Sequence, residues 1–202
     1  MAKKDKGKKK EKKKIVRKTN IILKKKKKKW VSILAPKEYR SMEIGESYVA
    51  DVQSLKGKRI IMSLSNLGRG KNFAIKVIFE VKEIVEGNGV CESIGYYLLN
   101  SYSRRVVKKG RTKIHKVFKM KTKDNVNVIM KISMSTVNKV PGGVSTTLRK
   151  GMDNYVTEEI KKVSFNALLD NVIGYGFQKK MKESLKKVYP VASLEVVSFR
   201  KA

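Results

Sequence analysis

Hydrophobic residues alternate with polar ones through the first two thirds of the chain. Between Phe73 and Val81 an apolar residue stands at every second position, with charged residues such as Lys76 between them. A period of two is typical of a β-strand that buries one face. The hydrophobic pattern predicts strands over residues 59–65, 73–81, 90–99, 114–120 and 126–134.

Turn-forming residues join these predicted strands into hairpins. Gly87-Asn88-Gly89 predicts one turn and Asp124-Asn125 another, because these residues tolerate the left-handed backbone of tight turns. The segment Gly68-Arg69-Gly70-Lys71-Asn72 also lies between two predicted strands. It lacks the Gly-Lys-Ser/Thr ending and the following helix of a nucleotide-binding loop, so we interpret it as a hairpin loop.

The hydrophobic period becomes helical after Pro141-Gly142-Gly143. The apolar residues within 148–163 fall on one helical face, and Ser145 or Thr146 is a candidate N-cap. Residues 177–188 carry a second stripe at helical spacing. These patterns predict helices in the last third of the chain.

Residues 191–200 are rich in β-branched and aromatic side chains, which favour a final strand. Strands followed by helices predict an α+β protein, in which an antiparallel sheet or small β-barrel is joined by C-terminal helices. We expect one domain over residues 30–202, with a strand-rich part at 30–140, a helical part at 145–188 and the final strand at 191–200.

The net charge of the chain is its most unusual property and bears on the kind of partner it binds. Its 202 residues include 49 Lys and Arg against 17 Asp and Glu, a formal net charge of +32. Residues 1–29 hold 17 of the basic residues and two acidic ones, so they carry +15 and the remainder carries +17. Low-complexity lysine predicts a disordered basic arm over residues 1–29. Because the body is also basic, we expect a polyanionic partner.

Few residues are available for catalysis, metal binding or disulfides. One cysteine, Cys91, and one histidine, His115, exclude an intrachain disulfide and a zinc site of paired thiolates and imidazoles. We interpret Cys91 as a small buried hydrophobe and His115 as a packing or nucleic-acid contact. The scattered carboxylates offer no pair for acid–base chemistry, so we expect neither an enzyme nor a cofactor.

No apolar run reaches 18 residues, and the N-terminus lacks the apolar core of a signal peptide. We therefore expect an intracellular protein without a membrane span.

Basic residues cluster at several points of the predicted body. Five cations stand within residues 104–111, shortly after Tyr96, Tyr97 and Tyr102. Cations neutralise phosphates and aromatic faces stack on unpaired bases, so the clusters together favour RNA or DNA contact, although each one alone is also compatible with a solvated loop. The candidate contacts are Arg17, Lys18, Lys24, Lys25, Lys26, Lys27, Lys28, Lys29, Trp30, Lys56, Lys58, Arg59, Arg69, Lys71, Arg104, Arg105, Lys108, Lys109, Arg111, Arg149, Lys150, Arg200 and Lys201.

The pattern favours RNA over other polyanions. No helix-turn-helix or basic-zipper pattern is visible, and a lysine-rich surface with selected arginines is typical of proteins that bind folded RNA through shape and phosphates. A DNA-packaging protein is the alternative, and a peripheral membrane protein is a third reading without an amphipathic or lipid-attachment signal. Trp30 is expected to anchor the arm where it meets the packed core, either against protein or on a base.

A series of short motifs in consistent order resembles one protein family. The motifs are Lys29-Trp30-Val31-Ser32-Ile33-Leu34-Ala35-Pro36, Ile44-Gly45-Glu46, Leu55-Lys56-Gly57-Lys58-Arg59, Ser63-Leu64-Ser65-Asn66-Leu67, Thr122-Lys123-Asp124-Asn125, Leu148-Arg149-Lys150-Gly151-Met152, Val188-Tyr189-Pro190 and Val197-Ser198-Phe199-Arg200-Lys201. Together they span residues 30–201 and resemble the S3Ae family of archaeal and eukaryotic small-subunit ribosomal proteins.

The resemblance implies a non-enzymatic, cytoplasmic, ribosome-bound protein. Its expected place is the platform of the small subunit, near the mRNA exit and the 3′ region of the small-subunit rRNA. The implied partners are this rRNA and neighbouring small-subunit ribosomal proteins, with mRNA or initiation factors near the exit as further candidates and no membrane.

Two positions depart from the family pattern. Val31 stands where an aromatic residue often follows the Trp, which should alter one packing or stacking contact. Asn125 stands where the hairpin often has Gly, which exchanges one residue that tolerates the left-handed conformation for another. Residues 1–29 match only in basic character, so no individual contact of the arm is implied.

Overall fold

The structure, a computed structural model, describes residues 27–68 and 72–202. Its strands are β1 Lys29–Leu34, β2 Glu43–Val49, β3 Arg59–Ser63, β4 Ile75–Val85, β5 Asn88–Leu98, β6 Lys113–Lys121, β7 Asn127–Thr136 and β8 Val191–Lys201. Its helices are α1 Asn100–Val106, α2 Gly142–Lys162, α3 Phe165–Ile173 and α4 Gly176–Lys186, with short 3-10 helices at Lys37–Tyr39 and Val52–Leu55. The predicted α+β class is confirmed.

The strands form an open sheet, so the barrel alternative is wrong. The order is β2-β1-β5-β8-β7-β6, and the β3–β4 hairpin joins the sheet through β4 and β5. β4 pairs with the whole of β5, so β1 and β8 share the opposite edge of β5, at its beginning and its end. These pairs are antiparallel except for the short parallel contact of β1 with β5. Among the described residues, β2, β3 and β6 each pair with a single strand, which leaves the sheet open.

Alternation along the strands gives the sheet two different faces. One row of directly opposed residues crosses five strands and is entirely buried: Val77, Tyr96, Phe199, Met130 and Phe118. The adjacent row points the other way, because successive side chains of a strand alternate between faces. It consists of Lys76, Tyr97, Ser198, Lys131 and Val117, which are half-buried or exposed. We call the first side the inner face and the second the outer face.

Three helices cover the inner face. α2 packs against β6, α3 against β5 and α4 against β8. Phe165 of α3 stacks on Phe199 of β8 with ring centroids 5.1 Å apart, and Tyr155 of α2 meets the Phe177 ring of α4 edge-on at 5.7 Å. Most residues of the two predicted apolar stripes are buried in α2 and α4, which confirms the core-facing sides of these helices. Val188, the last residue of the second stripe, lies beyond α4 and is exposed.

The start of α2 differs from the prediction. The helix begins at Gly142, with Pro141 in the N-cap position. Ser145 and Thr146 therefore lie inside the first turns, where the hydroxyl of Thr146 donates to the Gly142 carbonyl oxygen at 3.0 Å. The candidate caps were wrong because the serine and threonine make bonds within the helix rather than starting it.

α3 is a separate helix that the sequence pattern did not distinguish from its neighbours. Ser164 occupies its N-cap position without a side-chain capping bond. Instead, Oδ2 of Asp124 accepts a hydrogen bond from the Phe165 amide at 3.0 Å. Since Asp124 lies in the β6–β7 turn, the cap comes from a distant part of the chain and leaves no local signal.

Both predicted hairpin turns are present, one of them shifted. Val85 pairs with Asn88, so the turn residues of the β4–β5 hairpin are Glu86 and Gly87, with φ of 52° and 82°. The predicted turn lay one residue later, because glycine and asparagine were favoured over Glu86 for a left-handed backbone. Asn125 has φ of 57° in the β6–β7 turn, as expected.

The first half of β8 has a strand partner on one edge only. β5 reaches β8 through Gly95, Tyr96 and Tyr97, opposite the end of β8. Nearer its start, the Ala192 carbonyl oxygen accepts from Lys182 Nζ at 2.9 Å, and the Leu194 carbonyl oxygen accepts from the Tyr175 hydroxyl at 3.2 Å. Side chains from α4 and the preceding turn thus take the place of a neighbouring strand along this edge.

Candidate nucleic-acid interface

The outer face of the sheet collects basic side chains from several strands. Arg200 of β8 lies opposite Ile129, which in turn lies opposite Lys119 of β6. Lys76 and Lys131 stand in the adjacent outward row on β4 and β7. Of these four cations, only Arg200 was among the contacts predicted from the sequence. The period of two could have shown that each lysine lies on the polar side of its own strand, but only the strand pairing brings them onto one face.

Carboxylates pair with some cations at the edge of this face. Arg59 Nε lies 3.1 Å from Glu80 Oε2. Glu92 pairs with both Lys82 and Lys201, and Lys201 Nζ lies 2.5 Å from its Oε1. Burial raises the pKa of Glu92, but the hydrogen bonds and charges of the two lysines outweigh it and lower the pKa below its ordinary value.

Lys201 therefore differs from Arg200, although the two were predicted together. Its ammonium is also 4.8 Å from the centroid of the Phe165 ring, and the side chain is only 26% exposed. Arg200 is exposed on the outer face. Lys201 thus stabilises the end of β8, whereas the Arg200 guanidinium is accessible to an anion.

The basic cluster at residues 104–111 begins on α1, a helix that the sequence analysis did not predict. Arg104, Arg105, Lys108 and Lys109 are exposed and Arg111 is half-buried. At seven residues, α1 is too short for a helical period to be recognised. The cluster follows β5 directly and leads into β6.

Arg104 lies over the outer face of the sheet. A cleft of about 250 Å³ brings it together with Lys113 and His115 of β6 and Ser133 of β7. His115 is exposed at this position, which leaves its ring accessible to a partner. Its role as a nucleic-acid contact stays a prediction. The cleft connects the cluster of α1 with the cations of the strands, because His115 and Lys119 lie on the same side of β6.

Trp30 lies on the surface, where its ring packs beside a second aromatic side chain. It belongs to β1, is 67% exposed, and its ring centroid lies 5.0 Å from that of Tyr48 on β2. Tyr48 is exposed as well, and Lys28 Nζ lies 5.7 Å from its ring centroid. Val31, next in the strand, is the residue that enters the core. Base stacking by Trp30 stays a prediction.

The other predicted contacts do not all share one surface. Lys56 and Lys58 are exposed before β3, and Lys58 Nζ lies 3.2 Å from Ser47 Oγ. Arg149 and Lys150 are exposed on α2, which belongs to the helical layer behind the sheet. Lys27, Lys28 and Lys29 are exposed where the described chain begins. Predicted contacts that lie outside the described residues are Arg17, Lys18, Lys24, Lys25, Lys26, Arg69 and Lys71.

Side chains for chemistry are sparse in the part of the chain that the structure describes. Cys91 is buried, as predicted, and burial raises the pKa of its thiol to about 11, which keeps it protonated and unreactive at neutral pH. Residues 27–68 and 72–202 contain no group of three metal-ligating side chains. Among the same residues, no helix is long and apolar enough to cross a membrane.

The fold and its surface define a class of protein: an α+β body whose open sheet face carries clustered cations and suits a phosphate-rich partner. The sequence profile of the Ribosomal S3Ae family matches residues 9–200. The chain therefore belongs to the Ribosomal S3Ae family, a family of ribosomal proteins, as its motifs suggested.

Curated relatives agree with this assignment. The chain is 26% identical over 168 residues to small ribosomal subunit protein eS1 of Picrophilus torridus, an alignment that covers 83% of the chain and 80% of the relative. It is 25% identical over 169 residues to the protein of the same name from Saccharolobus islandicus, with 83% and 81% covered.

Proposed function

We propose that this protein is a structural constituent of the small ribosomal subunit that binds rRNA by neutralising its phosphates. The observation that carries the proposal is the family match across residues 9–200, and the relatives that cover most of the chain bear the name of a small-subunit protein. The expected place is the platform near the mRNA exit and the 3′ end of the small-subunit rRNA, in the cytoplasm.

The outer face of the sheet and the α1 cluster are the main rRNA-binding surface in this proposal. Arg104, Lys119 and Arg200 belong to three different elements and reach the same side of the sheet. Cations at fixed positions on strands suit a surface that binds RNA by shape and charge, because they contact phosphates without reading bases. Neighbouring ribosomal proteins, and mRNA or initiation factors near the exit, are the further proposed partners.

The lysine-rich arm adds a second mode of binding. Its 17 basic residues neutralise phosphates between RNA helices, and each neutralised phosphate releases condensed counterions. In this proposal the arm adds charge, while the body docks through its sheet face. The DNA-packaging alternative gains no specific support from the fold.

The salt dependence of binding tests which surface meets the RNA. The chain with Arg104→Gln, Lys119→Gln and Arg200→Gln should bind a transcript of the small-subunit rRNA with a shallower plot of log K against log salt concentration. Each lost phosphate contact reduces the slope by roughly 0.7–0.9, so we expect a reduction of about 2–3. Filter binding over a series of salt concentrations measures it.

A matched variant controls for net charge. Lys161→Gln, Lys162→Gln and Lys179→Gln remove three exposed cations from the helical layer. This variant should keep a slope within about one unit of the unchanged protein. Equal reductions in both variants would show that binding follows net charge and would remove the outer face from the account.

A further inference from the structure

A second cleft beside α1 is lined by aromatic and basic side chains. It is an open surface groove of about 450 Å³, bounded by Asn72, Phe73, Ala74, Tyr102, Arg105 and Val106. This volume falls within the range of roughly 300–1,000 Å³ typical of sites for small organic groups. The cleft differs from the one that holds Arg104 and His115, so the adjacent arginines of α1 line different clefts.

Phe73 is the most exposed apolar side chain of this cleft. It was predicted to begin a strand, but β4 starts at Ile75, and the Phe73 ring is 72% exposed. Phe73 lines the same cleft as Tyr102 and Arg105, so it is part of a concave site rather than an isolated surface residue. Its exposed ring is available to a partner.

Hydrogen bonds hold the two walls of the cleft in place. The Ala74 amide donates to Oδ1 of Asn72 at 3.0 Å, which fixes the turn before β4. The Ala74 carbonyl oxygen accepts from the Leu99 amide at 2.9 Å, and Leu99 directly precedes α1. Because the wall with Phe73 is bonded to the residue that begins the other wall, the cleft needs little ordering to bind a ligand.

The wall formed by α1 carries two flat side-chain groups, the Tyr102 ring and the Arg105 guanidinium. Arg105 Cζ lies 6.0 Å from the centroid of the Tyr102 ring, a distance at which a guanidinium interacts with an aromatic face. Tyr102 is half-buried and Arg105 is exposed. Unpaired nucleobases are bound by stacking on aromatic rings and on arginine planes, with cations beside them for the phosphates.

We propose that this cleft binds an unpaired base of RNA. The base stacks on Phe73 and on the Tyr102–Arg105 pair, and the positive charge of Arg105 attracts the flanking phosphates. No carboxylate lines the cleft, so its charge favours a nucleotide over a basic peptide segment. The inference rests on the proposed function, since it requires an RNA partner, and it adds a contact to single-stranded RNA that the sheet face does not provide.

Binding of two RNA probes by the full chain tests the inference. One probe is a single-stranded oligonucleotide of mixed sequence containing 2-aminopurine, and the other is a fully paired RNA hairpin of equal charge. Phe73→Ala should weaken binding of the single strand about five- to a hundredfold, the effect of losing one stacked base. Binding of the hairpin should change less than about twofold, because phosphate contacts remain.

Two matched substitutions separate stacking from simple apolar contact. Phe73→Trp should keep the affinity for the single strand and the quenching of 2-aminopurine, whereas Phe73→Leu should lose both almost as fully as Phe73→Ala. If leucine preserves both, the aromatic plane has no role and the inference is overturned. Circular dichroism verifies the fold of each variant.

The outcomes also separate this inference from the proposed function. A wild-type chain that binds neither probe contradicts both. If the unchanged chain binds both probes, and Phe73→Ala weakens neither affinity or weakens both equally, only the inference about the cleft is overturned. In assembled subunits, a photoreactive benzoylphenylalanine at position 73 should crosslink to RNA. Crosslinking only to protein would show that a protein side chain occupies the cleft instead.

Discussion

Glu195 of β8 is a buried carboxyl group, so its ionisation should affect the stability of the folded chain. Its Oε1 accepts a hydrogen bond from the Tyr175 hydroxyl at 2.8 Å. Burial raises the pKa of Glu195, and the Tyr175 hydrogen bond and the charge of Lys182 only partly offset the effect. The carboxylate is therefore more costly in the folded chain than in water.

This cost predicts how stability changes with pH. Below the ordinary pKa of 4.5, Glu195 is protonated in both folded and unfolded chains and favours neither. As the pH rises above 4.5, Glu195 ionises in the unfolded chain before it ionises in the folded chain. Its contribution to the free energy of unfolding therefore falls until the pH has passed the raised pKa of the folded chain. Glu195→Gln should therefore gain stability relative to the unchanged protein as the pH rises from about 4 to about 7.

Urea unfolding of both proteins across this pH range measures the difference. Glu158→Gln, at an exposed position of α2, is the control and should show little change with pH. A Glu195→Gln effect that is constant with pH would mean that Glu195 ionises as easily in the folded chain as in the unfolded one.

At the scale of elements, the β6–β7 turn and α3 depend on one another. Asp124 belongs to the turn, and its carboxylate caps the amide of Phe165. Phe165 in turn stacks on Phe199 of β8. The Asp124 side chain thus helps to set where α3 begins above the inner face of the sheet.

Removing this cap should destabilise α3 locally. Asp124→Ala should lower the free energy of unfolding by about 1 kcal/mol, the usual cost of losing an N-cap, and should speed hydrogen exchange of the Phe165 amide. Asp124→Asn keeps an acceptor oxygen and a good turn residue, so its effect should be smaller. Equal losses in the two variants, with unchanged exchange at Phe165, would show that the hydrogen bond does not support the helix.

Elements could be predicted from the sequence where nearby residues determine them, and not where a distant residue does. The period of two and the Asp124-Asn125 turn were sufficient for the β6–β7 hairpin. The apolar stripes were sufficient for α2 and α4, whose buried residues follow the helical period. The separate start of α3 and the helix α1 were missed, since the first depends on a distant cap and the second is only seven residues long.

At the scale of the whole molecule, charge indicated the kind of partner but not the surface. The +17 on residues 30–202 predicted a basic body. It did not show that Lys119, Lys131 and Arg200 share the outer face, because this follows from the pairing of β6, β7 and β8. Pairing also separated Lys201, bound to Glu92, from the accessible Arg200. The sequence also left open what Trp30 contacts, and its ring lies beside that of Tyr48 on the surface.

The two layers of the molecule therefore have different roles in this account. The inner face and helices α2, α3 and α4 supply the buried core. In the proposed function, the outer face, α1 and the arm present cations to RNA. The family match over residues 9–200 supports a structural role in the small ribosomal subunit.

Sedimentation of the full chain through sucrose gradients tests whether the protein is a constituent of the small ribosomal subunit. In lysates of cells that produce the protein, at moderate salt, we expect it to sediment with the small ribosomal subunit in a ratio close to one copy per subunit. Its release into free protein or into a chromosomal fraction under the same conditions would contradict a role as a structural constituent of that subunit.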